Sequence, residues 1–135
     1  MFEKEKEFDG KIGNIPSILG FINDFAKEHE FPDAFTNKIL IVGDELFSNI
    51  IKYGYENEGG SIMVKLSFEE TVNEFCLTII DKAKEFNQLS VNNVDENNKG
   101  LRIGGLGIFI VKQIMTECAY ERADEQNVLI LKKRF

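Results

Sequence analysis

Apolar residues recur along this chain with two spacings, and each spacing selects a different backbone. FEKEKEF, residues 2–8, mixes apolar and charged residues as a short edge strand does, and Asp9-Gly10 marks a turn after it. From Asn14 the spacing becomes helical, with Ile15, Ile18, Leu19, Ile22 and Phe25 on one side. Asn14 is placed to cap this helix and Pro16 falls in its first turn, so the pattern predicts a helix ending near His29 or Glu30. After Phe31-Pro32-Asp33, a longer helix is predicted with Ile39, Val42, Leu46, Ile50 and Tyr53 on one side and Gly54 as its stop. ENEGG, residues 56–60, is turn composition. It introduces two alternating runs: SIMVKLSF, with Ile62, Val64, Leu66 and Phe68 on one face, and NEFCLTII, with Phe75, Leu77 and Ile79 on one face. Together they predict an antiparallel hairpin turning around Glu69 to Asn73.

Periodicity disappears from Asp81 to Arg102, where VNNVDENNKG stands out, so this stretch reads as a long functional loop or a disordered insertion. GGLG then opens a third helix with Ile108, Val111, Met115 and Cys118 on its buried side, and NVLILKKRF closes the chain as a strand. The order strand, helix, helix, strand, strand, loop, helix, strand lacks regular β-α-β alternation. The expected fold class is therefore α+β, a two-layer α/β sandwich with a mixed, mostly antiparallel sheet and helices on one face.

Composition narrows the function. A length of 135 residues with 43% hydrophobic and 29% charged residues suits one domain spanning residues 1–135. The net charge of -7 repels a phosphate backbone, so no direct nucleic-acid binding is expected. No apolar run is long enough for a membrane span and the start is unlike a signal segment, which points to a soluble, cytoplasmic protein. Cys76 and Cys118 each lie in an apolar periodic segment and are expected as buried free thiols, and His29 is the single histidine. That leaves little material for a Cys-His metal centre or a Ser-His-Asp triad, while a magnesium site built from carboxylate and amide remains open.

Three segments carry candidate chemistry. Glu45 and Asn49 in DELFSN lie one helical turn apart, where a carboxylate can take a proton and an amide oxygen can ligate magnesium; the alternative is a solvated helix pair. Asp81 follows the strand FCLTII and could accept a hydrogen bond from the amine of adenine, or simply cap its own turn. In KGLRIGGLGIFIVKQ, glycines 100, 104, 105 and 107 cluster at a helix start around Arg102, as a phosphate-binding site requires and as a tight turn also would.

Taken in order, DELFSNIIKYGYE, IID and GGLGIFIVKQIMTECAY resemble the N box and the two glycine boxes of the GHKL ATPases, named for gyrase, Hsp90, histidine kinases and MutL. Within that superfamily the chain is similar to the anti-sigma-factor serine kinases of bacterial partner switches. The resemblance implies a Bergerat ATP-binding fold with ATP and magnesium between the long helix and a lid loop, and the Asn-rich segment is expected to be disordered, with ATP reducing that disorder. It implies Asn49 as the magnesium ligand, Glu45 as the base toward a serine hydroxyl, and Asp81 as the reader of adenine. Gly104, Gly105, Leu106 and Gly107 would lie at the phosphates, with Arg102 near the terminal one. The implied partners are a sigma factor and an anti-anti-sigma protein of the STAS type, and a homodimer through the exposed side of the first elements.

Two departures accompany the match. The first glycine box usually carries glycines two and four residues after its aspartate, whereas here Asp81 is followed by Lys82-Ala83-Lys84-Glu85. Many relatives also have a threonine in the last strand where this chain has Ile130. A regulatory binding module on the same fold, with weak or lost ATP binding, is the alternative these departures raise.

Overall fold

The computed structural model describes residues 1–90, 94–95, 100–101 and 105–135. Arg102, Gly104 and most of the Asn-rich stretch expected to be ordered by ATP lie outside the described residues. The elements in chain order are β1 (Phe2–Asp9), α1 (Ile15–Glu28), α2 (Asp33–Asn49), β2 (Ser61–Glu69), β3 (Glu74–Asp81), β4 (Val94–Asp95), β5 (Gly100–Leu101), α3 (Gly105–Ile114), β6 (Glu117–Ala123) and β7 (Gln126–Arg134).

Five strands form one sheet in the order β1-β2-β3-β7-β6, and every neighbouring pair is antiparallel. The sheet is therefore antiparallel throughout, with no parallel pair among the described residues. Its buried face carries the predicted alternation: Ile62, Val64, Leu66 and Phe68 on β2, Phe75, Leu77 and Ile79 on β3, and Leu129 and Leu131 on β7. These pack with Ile18, Ile22 and Phe25 of α1, Ile39, Val42 and Leu46 of α2, and Ile108 and Val111 of α3 in one continuous core. The other face carries half-buried Met63, Ile80, Val128 and Ile130. The result is the two-layer α+β arrangement, helices on one side.

One end of the core is closed by aromatic rings. Phe31, in the α1–α2 connection, lies within 4.9–6.1 Å, centroid to centroid, of Phe25, Phe35, Phe68, Phe75 and Phe135. His29 packs into the same cluster, 4.4 Å from the Phe25 ring. α1 ends in a left-handed residue, Glu30 at φ 55°, which lets the Phe31 amide reach back to the Ala26 carbonyl at 2.9 Å.

Several elements differ from the sequence expectation. Asn14 does not cap α1; a short 3-10 turn, Ile12–Asn14, leads into the helix, and the Asn14 amide instead donates to the Asp9 carbonyl at 2.8 Å. α2 gives way after Asn49 to a single wide π turn, Ile50–Gly54. The extra residue in that turn rotates the chain, so Ile51 is fully buried while Tyr53 is 38% exposed and leaves the apolar stripe. Cys118 is not on α3: the helix ends at Ile114, and Cys118 lies in β6, a strand the apolar spacing did not predict. The β6–β7 hairpin turns through Asp124 and Glu125, both at positive φ, with no glycine to announce it. Cys76 and Cys118 are free as expected, but half-buried.

The π turn makes a checkable distinction. Ile51→Ala should cost about 2–5 kcal/mol, as for a filled core position. Tyr53→Ala should stay within about 0.5 kcal/mol. Urea unfolding of the two variants measures both, and equal losses would restore the regular-helix phase.

Candidate functional site

Burial at the end of β3 creates the first half of the site. The alternation that sends Phe75, Leu77 and Ile79 inward also sends Asp81 inward, and its carboxylate is 4% exposed. A buried carboxylate needs donors. The register brings Asn127 of β7 opposite Asp81, and Asn127 Nδ2 donates to Asp81 Oδ1 at 2.9 Å while the Ala83 amide donates to the same oxygen at 3.0 Å. Burial pushes the Asp81 carboxyl above its ordinary value, offset in part by the Asn127 and Ala83 hydrogen bonds and by the charge of Arg122.

Asn127 is itself held from several sides. Its Oδ1 accepts from the Tyr120 hydroxyl at 2.6 Å, the Phe86 amide at 3.1 Å and Arg122 at 3.2 Å, and its Nδ2 also donates to the Lys84 carbonyl at 2.9 Å. Arg122 donates to the Ala83 carbonyl at 2.8 Å. Side chains of β6 and β7 thus tie down the segment after Asp81 without glycine. Ala83 and Glu85 are absent from the positive-φ residues, so neither is strained by its side chain. The Ala83 methyl sits over Gly54, where an added Cβ would lie 3.2 Å from it. Lys84 pairs with Glu56 at 2.9 Å.

The second half lies on the helices. Glu45 and Asn49, one turn apart on α2, are bonded directly: Asn49 Nδ2 donates to Glu45 Oε2 at 2.7 Å. The same nitrogen donates to Gln88 Oε1 at 3.0 Å. Gln88 begins the short 3-10 turn Gln88–Ser90, and its own Nε2 lies 3.4 Å from the Leu46 carbonyl. Asn49 and Gln88 are buried, Glu45 only partly. α3 approaches α2 through Gly107, where a Cβ would fall inside the Glu45 carboxylate. Gly107 is thus required by close approach, with no call on left-handed backbone.

Tyr55 joins the halves. Its hydroxyl donates to the Ser61 carbonyl at 2.6 Å and accepts from the Lys82 amide at 2.7 Å, fixing the end of the π turn to the start of the segment after Asp81.

Of the residues singled out in the sequence, Glu45, Asn49 and Gly107 are in one cluster, and Asp81 stands at the strand end linked to it through residues 82–88. Gly105 opens α3 and Leu106 is 53% exposed on its outer side. Ile130 does not face Asp81: it pairs with Thr78, and the position opposite Asp81 belongs to Asn127. Asn127, Tyr120, Arg122 and Gln88 were not singled out. Counting the two strands against each other from their ends would have found Asn127, whereas nothing near Gln88 marks it.

Asp81 supplies a pH test. Its folded-state value is raised, so between the ordinary value of 3.8 and that raised value the folded chain holds more protons than the unfolded one. Stability from this group therefore falls as pH rises through that window. Subtracting the urea-derived stability of Asp81→Asn from that of the wild type at each pH should leave a difference that declines from pH 4 upward. A flat or rising difference contradicts the buried, raised carboxyl.

Comparison with known proteins bears on the fold and the family. The histidine kinase-like ATPase domain matches residues 8–133. Serine-protein kinase RsbW of Staphylococcus epidermidis is 26% identical over 108 residues, covering 76% of this chain and 67% of that protein. RsbW of Staphylococcus aureus is 28% identical over 83 residues, 57% of this chain and 52% of that one. Among solved structures, the RsbU and RsbW domains of Rv1364c from Mycobacterium tuberculosis superpose with a TM-score of 0.70 at 13% identity, over 99% of this chain. This chain spans only 32% of that longer one. The SiaB-SiaC complex from Pseudomonas aeruginosa gives a TM-score of 0.61 at 15% identity, over 96% of this chain and 89% of the matched one. Both structural likenesses concern the fold. With the domain matched from the end of β1 almost to the end of β7, the chain belongs to the histidine kinase-like ATPase domain family.

Proposed function

We propose that this protein is an ATP- and magnesium-dependent serine/threonine protein kinase that phosphorylates an anti-anti-sigma protein of the STAS type and holds a sigma factor inactive. The observation that carries the reading is the Glu45–Asn49 pair on α2, bonded at 2.7 Å and set against the glycine start of α3. The similarity to the RsbW serine-protein kinases supports the same assignment.

The donor set fits magnesium. Asn49 Nδ2 is spent on two acceptors, and among the described residues none donates to Oδ1, a hard oxygen of the kind magnesium takes alongside phosphates and water. The metal would supply charge neutralisation at the transferring phosphoryl group. Glu45, partly exposed beside Asn49, would take the proton of the attacking hydroxyl. Asp81 Oδ1 already accepts two hydrogen bonds, which leaves Oδ2 to accept from the amine of adenine. The first turn of α3 would lie along the phosphates, with Gly105 and Gly107 lacking side chains that obstruct the approach. Gly104 and Arg102 are assigned to the phosphates with them, on the family pattern.

A protein substrate is supported by the outer side of α3, where Leu106, Phe109 and Ile110 are 45–53% exposed beside this site. The net charge of -7 suits a partner with a basic patch. A binding module without transfer is the second reading, favoured by one observation: the Ala83 methyl occupies space next to Asp81 that a glycine would leave open.

Calorimetric titration of ATP with magnesium, paired with phosphorylation of a purified anti-anti-sigma protein, separates the two. The kinase reading expects saturable ATP binding that magnesium strengthens, a strengthening that Asn49→Ala removes. Glu45→Gln, which still accepts from Asn49, should slow transfer by about 10²–10⁴-fold with ATP affinity little changed. Transfer at the wild-type rate in a folded Asn49→Ala protein would sink the mechanism, and no binding at millimolar ATP would leave the binding module.

A further inference from the structure

The structure assigns Gln88 as a positioning residue: it fixes the Asn49 side-chain amide so that Oδ1, and not Nδ2, is turned toward the metal. The inference rests on the magnesium-dependent reading above and adds to it a residue that no part of the N box or the glycine boxes contains.

The argument follows hydrogen-bond polarity from one end of the chain of contacts to the other. The Leu46 carbonyl can only accept, so the end of the Gln88 amide facing it at 3.4 Å is the NH2 group. Gln88 Oε1 is then the end that faces Asn49. The Asn49 atom 3.0 Å from that oxygen must be a donor, and the same atom lies 2.7 Å from Glu45 Oε2, a second acceptor. Both hydrogens of Nδ2 are thereby committed. Rotating the amide by half a turn would set Oδ1 against two acceptor oxygens with no hydrogen between them. Glu45 alone is an unreliable lock, since it is partly exposed and its side chain can turn to solvent. Gln88 is 1% exposed and its other end faces the Leu46 carbonyl, so burial keeps it from turning to solvent.

Its position in the chain also connects the two halves of the site. Gln88 closes the segment that starts at Asp81, and that segment is held by Asn127 through the Phe86 amide and the Lys84 carbonyl. The residues that surround the candidate base-reading carboxylate thus set the placement of the amide that orients the candidate metal ligand.

Gln88→Met keeps the side chain's length and removes both polar ends. Titrating magnesium chloride into protein at fixed ATP, with a parallel ATP titration in EDTA, reads metal affinity apart from nucleotide affinity. The variant should need about tenfold or more magnesium for half-maximal ATP binding, as when an outer-shell partner of a metal ligand is removed. Its metal-free ATP affinity should stay within about twofold, whereas a general loss of packing would weaken both. A variant with the wild-type magnesium requirement overturns the assignment while leaving the kinase reading intact. A wild-type protein that binds ATP with no magnesium dependence overturns both. Hydrogen exchange of the Asn49 Nδ2 protons in the wild-type protein, followed by NMR, needs no variant: slow exchange in the metal-free state is expected, and exchange at the solvent-exposed rate overturns the lock.

Discussion

The site depends on the register of three antiparallel strands, β2, β3 and β7, each with one buried side. Val64 pairs with Ile79 and Leu66 with Leu77 across β2 and β3, while Ile79 pairs with Leu129 and Leu77 with Leu131 across β3 and β7. A slip of one residue would turn each apolar row to the open face, so the register is strongly fixed by burial. The row is apolar along most of its length and polar at one end. There the pairing that holds Leu129 against Ile79 delivers Asn127 to Asp81. The carboxylate is inside because its strand-mates are, and the amide meets it because the strands cannot slide.

From that fixed point the polar bonds run outward in two directions. One passes through Tyr55, whose hydroxyl links the Lys82 amide to the Ser61 carbonyl and so joins the end of the π turn to β2. The other passes along residues 83–88 to the Asn49 amide on α2. Both connections close on the last turns of α2, where the helix widens. A regular α-helix through residues 50–54 would have kept Tyr53 in the apolar stripe; the π turn instead buries Ile51 and leaves Gly54 beneath Ala83. A methyl at position 83 is accommodated because position 54 carries none.

Much of this was legible in the sequence, for physical reasons that differ by element. The hairpin of β2 and β3 was readable because a half-buried strand has a strict period of two, and α1 and α2 because their stripes are long. β6 was not. Cys118 continues the spacing of Ile108, Val111 and Met115 as well as a fourth helical turn would, and the turn into β7 is built from Asp124 and Glu125 in place of glycine. Missing β6 meant missing Tyr120 and Arg122, which alternate along it and hold Asn127. Glu45, Asn49 and Gly107 could be found because helix spacing and a glycine cluster are local patterns. Gln88 and Asn127 could not be found that way, since each acts through a partner about forty residues distant, 39 for Asn49 and 46 for Asp81.

The departures from the family's pattern fall unevenly over the site, and that unevenness bears on the choice between catalysis and binding alone. Ala83 and Glu85 belong to the strand-end half, around Asp81, where under the kinase reading contacts to a nucleotide base would be made equally in the ground state and the transition state. Contacts of that kind set affinity and leave the chemical step alone. Glu45, Asn49 and Gly107 belong to the helix half, where under the kinase reading charge would move during phosphoryl transfer, and there the pattern is intact. Under the kinase reading, the altered box therefore weakens ATP binding without slowing transfer from bound ATP. The strand-end half has also replaced what the glycines supplied: the backbone of residues 83–86 is held by Arg122 and Asn127 side chains, so its geometry is specified by hydrogen bonds. The kinase reading gives a use to the aligned carboxylate and amide, 2.7 Å apart, partly buried and backed by a second buried amide. Burying such groups is unfavourable unless they are paired, and both Nδ2 hydrogens of Asn49 are paired. Under the kinase reading, that arrangement is what a retained reaction centre requires and a purely binding surface does not.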